Sequence, residues 1–171
     1  MNKSELREQL PFRPCVGIAL FNAQGKVFAG KRISKNGGTS EYAWQLPQGG
    51  IDKGEDALVA AKRELYEETN VTSVELIMQA PEQFDYDLPE ELIGIGLKGK
   101  YRGQRQDWFA FRFVGHEDEI NVLAPAEGAH PAEFDDWAWC DLSEMPDLIV
   151  PFKRELYVKI LDAFASIRPK D

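Results

Sequence analysis

Three glutamates, Glu64, Glu67 and Glu68, stand at i, i+3 and i+4 in the stretch Arg63-Glu64-Leu65-Tyr66-Glu67-Glu68-Thr69-Asn70-Val71. On a helix this spacing puts their carboxylates on one face, a few ångströms apart. Each like-charged pair costs a helix about 0.2–0.5 kcal/mol, so the cluster reads either as a solvated acidic face or as a cation site. Two neighbours favour the cation. The glycine-rich turn Gly49-Gly50-Ile51-Asp52-Lys53-Gly54-Glu55 feeds directly into the helix and lets backbone approach a ligand closely. Arg63 adjoins the cluster as a donor able to orient a carboxylate. Carboxylate oxygens are hard ligands that suit Mg²⁺, with Mn²⁺ as a substitute, whereas zinc favours His and Cys.

A second chemistry is cationic. The chain has 171 residues and 20 Lys and Arg against 29 Asp and Glu, a net charge of −9, so it repels polyanions overall. An anionic substrate must be met locally or through metal ions. Lys98, Lys100, Arg102 and Arg105 form a run without an intervening acid, either a phosphate-facing patch or a solvated hairpin. The segment before it is acidic, with Glu82, Asp85, Asp87, Glu90 and Glu91, which argues against an extended nucleic-acid track. Aromatic faces stack on nucleobases, and Phe152 is one candidate. Trp137 and Trp139 alternate with polar neighbours and read mainly as core. Cys15 and Cys140 read as reduced core thiols.

The elements that must position these groups alternate along the chain. Val16 to Phe21 and Val27 to Lys31 flank Asn22-Ala23-Gln24-Gly25 and predict a β-hairpin. Ser34 to Ser40 reads as a loop. Ala57, Leu58, Ala61 and Leu65 form an apolar stripe that predicts a helix over Asp56 to Thr69. Val74 to Met78, Trp108 to Val114 and Trp137 to Cys140 read as strands, and Phe152 to Ile167 as a second helix. This order predicts an α/β domain with helices packed on a mixed sheet. The 43% hydrophobic content suffices for one core, so residues 1–171 are expected to form a single domain. The apolar runs fall far short of the roughly 20 residues that span a bilayer, and Met1 to Pro14 lacks a secretory pattern, so a cytoplasmic protein without membrane contact is expected.

The helix and its turn resemble the Nudix box, G-x5-E-x7-R-E-U-x-E-E-x-G-U with U aliphatic. Gly49, Glu55, Arg63, Glu64, Leu65, Glu67, Glu68 and Val71 fill it. The departure is Asn70 in place of glycine, and Asn is the next best residue for a left-handed helix end. The likeness extends over roughly residues 11 to 168. Arg13-Pro14-Cys15-Val16-Gly17-Ile18, Trp44 to Asp52 with its Pro47-Gln48-Gly49-Gly50, Gly103 to Phe109, Glu133 to Trp139 and Phe152 to Tyr157 resemble bacterial RNA pyrophosphohydrolases and the related dinucleoside polyphosphate hydrolases.

The resemblance implies a Nudix fold, an α/β/α sandwich with a mixed β-sheet between helices, and a site in which Mg²⁺ ions assist attack of water on a pyrophosphate linkage. It assigns metal binding to Glu64, Glu67, Glu68 and Glu133, and catalytic roles to Glu64, Glu68, Glu133 and Arg63. His116 and His130 lie outside the matched motifs, which leaves a carboxylate as base. Arg32, Gln48, Gly49, Tyr86, Lys98, Arg105, Phe152 and Lys153 are the substrate-binding residues, with Tyr86 near the base. The partner implied is a 5′-triphosphorylated RNA end or, alternatively, a dinucleoside polyphosphate of the diadenosine tetraphosphate type. A nucleotide-sensing module without catalysis would have no need to keep every glutamate.

Overall fold

The computed structural model describes residues 1–34 and 41–170, and the loop expected over Ser34 to Ser40 falls almost wholly outside them. In chain order the elements are α1 (Lys3–Gln9), β1 (Phe12–Phe21), β2 (Val27–Arg32), β3 (Trp44–Gln45), β4 (Gln48–Gly50), α2 (Ala57–Thr69), β5 (Val74–Gln79), β6 (Phe84–Asp87), β7 (Gly103–Phe113), β8 (Phe134–Cys140), α3 (Met145–Leu148) and α4 (Arg154–Ala163).

β1 and β7 run parallel, in register from Phe12 beside Gly103 to Phe21 beside Arg112. The remaining pairings are antiparallel, in the order β3-β2-β1-β7-β5 with β4 on β1, β6 on β7 and β8 on β2. Val16 to Phe21 is continuously apolar because both faces of β1 are covered. Val16, Ile18 and Leu20 join Ala60, Ala61 and Leu65 of α2, while Ala19 and Phe21 join Leu156, Tyr157, Ile160 and Phe164 from the α4 side. The sheet thus lies between two helices, the α/β/α layering expected from the sequence.

The hairpin, the helix after the glycine turn and the later strands stand where the sequence places them, with shifted ends. The last helix begins only at Arg154, after a 3-10 turn at Pro151–Lys153, and stops at Ala163. Five elements escaped the hydrophobic pattern, the short β3, β4 and α3 together with α1 and β6. α1 buries no side chain and is held by a capping box between Asn2 and Glu5, so it carries no apolar stripe. β6 is short, yet Phe84 and Tyr86 alternate inward against exposed Asp85 and Asp87. Trp137 and Trp139 are both half-buried on one face, where each packs on Phe28. Both cysteines are free. No helix among the described residues is long and apolar enough to cross a membrane.

Candidate active site

α2 starts where the Asp56 carboxylate accepts the backbone N–H groups of Leu58 and Val59. It ends at Asn70, whose φ of 71° is the left-handed conformation its type anticipates. The strand β4 lies against this helix and pairs with β1, Gly49 opposite Val16 and Gly50 opposite Cys15. Both glycines leave room for site side chains, since a Cβ at Gly49 would displace the Glu64 carboxyl and one at Gly50 the Arg13 guanidinium.

Arg63 is the hub of the cluster. Its Nε and Nη2 donate to the two oxygens of Glu55, both at 2.8 Å, and Nη2 also reaches the Gly50 carbonyl at 2.9 Å. Nη1 donates to Glu64 at 2.9 Å and to Glu67 at 3.1 Å. The donors of Arg63 are thus spent on protein partners, which orients the carboxylates around it. The same guanidinium, with the Asp52 backbone N–H, holds the Glu55 carboxyl down at about 2. Glu64 is shifted the other way because burial outweighs its bond from Arg63.

Glu68 is the most perturbed carboxyl. Although charged by type, it is only 7% exposed. Burial pushes its pKa well above the usual carboxylate range, and the neighbouring Glu64 and Glu133 charges add to this, against one opposing bond from the Gln48 backbone N–H. Its Oε2 is buried without a hydrogen-bond partner among the described residues. Glu133 comes from the connection between β7 and β8, where its carbonyl accepts the Ile33 N–H. His130, which no motif singled out, stands beside the cluster with Nε2 3.4 Å from Glu67.

From Glu133 an open cleft of about 840 Å³ extends past Arg32, Gln48 and Gln104 to Tyr86, Phe152 and Lys153. Lys153 is half-buried, its ammonium 5.0 Å from the Tyr86 ring and 5.9 Å from that of Phe152. Burial, then the nearby Arg32 charge, lower it to about 8. Tyr86 is only 8% exposed and Phe152 is 37% exposed, so the ring most open to a base is Phe152. Sequence reasoning missed Lys31, which also lines the cleft, and a buried chain in which Trp108 Nε1 donates to Gln106 and Gln106 Nε2 to Gln104. Alternation along β7 is the signal for that chain. Lys98 and Arg105 are not among the described residues that line the cleft. Arg105 makes two bonds of 2.9 Å to Asp85 and Arg102 is paired with Asp87, so two of the four cations of the expected patch are matched by the acidic segment beside it.

The NUDIX domain model matches residues 11–160. The chain belongs to the NUDIX family. An RNA pyrophosphohydrolase of Rhizobium meliloti is 56% identical over 165 residues, 94% of this chain and 97% of its own length. One from Agrobacterium fabrum is 55% identical over 168 residues, 95% and 97% of the two chains. Among solved structures, a C. elegans Ap4A hydrolase binary complex superposes with a TM-score of 0.60 at 18% identity, covering 91% of this chain and 99% of the other, a likeness of fold.

NUDIX proteins generally use divalent metal ions. The side chains fit such an ion: the donors are carboxylates, and Glu68 carries a buried oxygen that nothing else satisfies. Glu64 and Glu67 are turned toward Arg63, and among the described residues no three acidic, His or Cys groups converge on one point. The NUDIX helix therefore offers, on one face, the carboxylate donors that such an ion takes.

Proposed function

We propose that this NUDIX protein is an Mg²⁺-dependent RNA pyrophosphohydrolase of the cytoplasm that converts the 5′-triphosphate end of RNA to a 5′-monophosphate and so promotes mRNA decay. The observation that carries the reading is a single cleft whose lining brings together Glu133, near the buried Glu68, with Arg32, Lys153 and Phe152. Relatives that share more than half of its residues over nearly the whole chain bear that activity as their name.

Water attacks a phosphorus of the triphosphate, the bridging P–O bond breaks, and diphosphate departs. Glu64, Glu67, Glu68 and Glu133 would hold Mg²⁺, or Mn²⁺ in its place, which when bound would supply charge neutralisation at the phosphate oxygens and a lowered pKa for the water. Arg63 fixes the Glu64 and Glu67 carboxylates so that they need not reorganise during the reaction. Glu133, exposed on the cleft wall, takes the water's proton. Arg32 and Lys153 hold the phosphate chain, with Gln48 and Gly49 lining its path, and Phe152 stacks on a base over the Tyr86 floor. With Arg102 and Arg105 neutralised by Asp87 and Asp85, the cationic surface is short, which suits an RNA terminus more than an extended track and also admits a compact dinucleoside polyphosphate.

The test is to compare turnover of a 5′-triphosphorylated oligonucleotide with that of diadenosine tetraphosphate at equal Mg²⁺. Higher kcat/KM on the oligonucleotide is expected. A clear preference for the dinucleotide would move the assignment to that class, and turnover of neither would remove the enzyme reading.

A further inference from the structure

The residue at which this chain departs from the box does more than end a helix. In the left-handed conformation at the end of α2, the Asn70 amide reaches out to the long connection between β7 and β8. Its Nδ2 donates to the Glu119 carbonyl at 3.0 Å, and its Oδ1 accepts the Glu127 N–H at 2.8 Å. Thr69, one residue earlier, accepts the Asn121 N–H through its carbonyl at 2.9 Å. Glu127 and Ala126 both have positive φ, 56° and 54°, a conformation that residues other than glycine keep only when their surroundings hold them there. Six residues beyond Glu127 the same connection delivers Glu133 to the cleft, and on the way it sets His130 beside Glu67.

We propose that Asn70 is a positioning residue that clamps this connection to the NUDIX helix and thereby holds Glu133 where it serves the reaction. A glycine at this position would satisfy the helix end equally well but would leave the Glu119 carbonyl and the Glu127 N–H without their side-chain partner. The inference rests on the reading of Glu133 as the carboxylate that faces the reacting water.

Asn70→Gly isolates the amide, because glycine adopts a φ of 71° without steric cost and the helix end is preserved. In the full chain, amide exchange across residues 117–133 should quicken by about 5- to 30-fold, as expected for the loss of one or two hydrogen bonds. On a 5′-triphosphorylated oligonucleotide at saturating Mg²⁺, kcat should fall by about 3- to 30-fold with KM within about twofold. Asn70→Asp keeps an acceptor for Glu127 and should restore part of both. Added to Glu133→Gln, the Asn70→Gly change should cost no further kcat. Unchanged exchange in Asn70→Gly would overturn the clamp. Quickened exchange with wild-type kcat, while Glu133→Gln is slow, would overturn its catalytic purpose and leave the proposed function standing. Wild-type kcat in Glu133→Gln would remove the underlying reading instead.

Discussion

The carboxylate cluster on α2 and the wall of the cleft are built in opposite ways. In the first, Glu64, Glu67 and Glu68 ride on the single helix α2, and the group that orients two of them, Arg63, is on the same helix and anchored to Gly50 and Glu55 just upstream. In the second, Arg32 comes from the end of β2, Tyr86 from β6, Gln104 from β7, and Phe152 and Lys153 from the turn before α4. The first fixes like charges close together against their mutual repulsion, with one carboxyl buried. The second gathers aromatic and cationic side chains that adapt to a ligand. Damage to the first should appear in kcat, and damage to the second in KM.

The sharpest break is Glu68→Gln. Activity should fall by about two orders of magnitude or more, the several kcal/mol that metal assistance supplies. The metal-free variant should nonetheless be more stable than wild type. The folded Glu68 carboxyl titrates well above the ordinary 4.5, so the protein's stability is fully present below that value and declines as the pH rises through the range between the unfolded and folded values. At pH 7 that cost persists, and glutamine abolishes it. Thermal melts in chelator should show a Tm raised by about 2–4 °C per kcal/mol recovered, and Mn²⁺ should raise the Tm of wild type more than that of the variant. A Tm lowered in chelator would contradict the burial argument.

Next in size, Glu133→Gln should lower kcat by about 10²-fold, within the range for general-base groups, with little change in KM. A parallel rise in KM would place Glu133 among the gripping residues and blur the division.

The gripping wall has its own pH signature. Lys153, lowered to about 8 by burial and Arg32, carries its charge below that pH and loses it above. For wild type, kcat/KM on a triphosphorylated oligonucleotide should therefore decline as the pH rises through about 8, since this ratio reports groups of the free enzyme. Lys153→Arg should move the decline to higher pH, because guanidinium stays protonated. An inflection that stays in place would assign it to another group.

What could be read in advance follows the same division. Glu64, Glu67 and Glu68 were legible because helical spacing alone puts them on one face, and β1 because a continuously apolar strand must be covered on both sides. Asn70 was legible as a helix end, while its bonds to Glu119 and Glu127, 49 and 57 residues away, were not. Lys31, His130 and the Gln104-Gln106-Trp108 chain reach the site through pairings distant in sequence. Tyr86 was named as a candidate site residue, while its burial was not legible, because the alternation that buries Phe84 and Tyr86 spans only four residues. The pairing of Arg102 and Arg105 was hidden for a related reason, since Asp87 and Asp85 precede them in sequence and meet them only across the β6–β7 pairing.

That last case carries the smallest effect and the finest test of where the cleft ends. Arg105 is half-exposed, bound through Nε and Nη2 to Asp85, with its guanidinium 4.9 Å from the Phe12 ring. An exposed pair of this kind adds little to stability, and the Arg105 charge is already matched by a carboxylate where a phosphate would have to dock. Arg105→Gln should therefore leave KM for a triphosphorylated oligonucleotide within about twofold, whereas Phe152→Ala, which removes the more exposed ring, should raise it by the roughly 5- to 150-fold that 1–3 kcal/mol of stacking represents. The slope of log KM against log salt should also be unchanged in Arg105→Gln, since no phosphate contact is lost. A rise in KM comparable to that of Phe152→Ala, with a shallower salt slope, would show that the RNA chain crosses the β6–β7 surface and displaces Asp85, extending the gripping wall beyond Phe152 and Lys153.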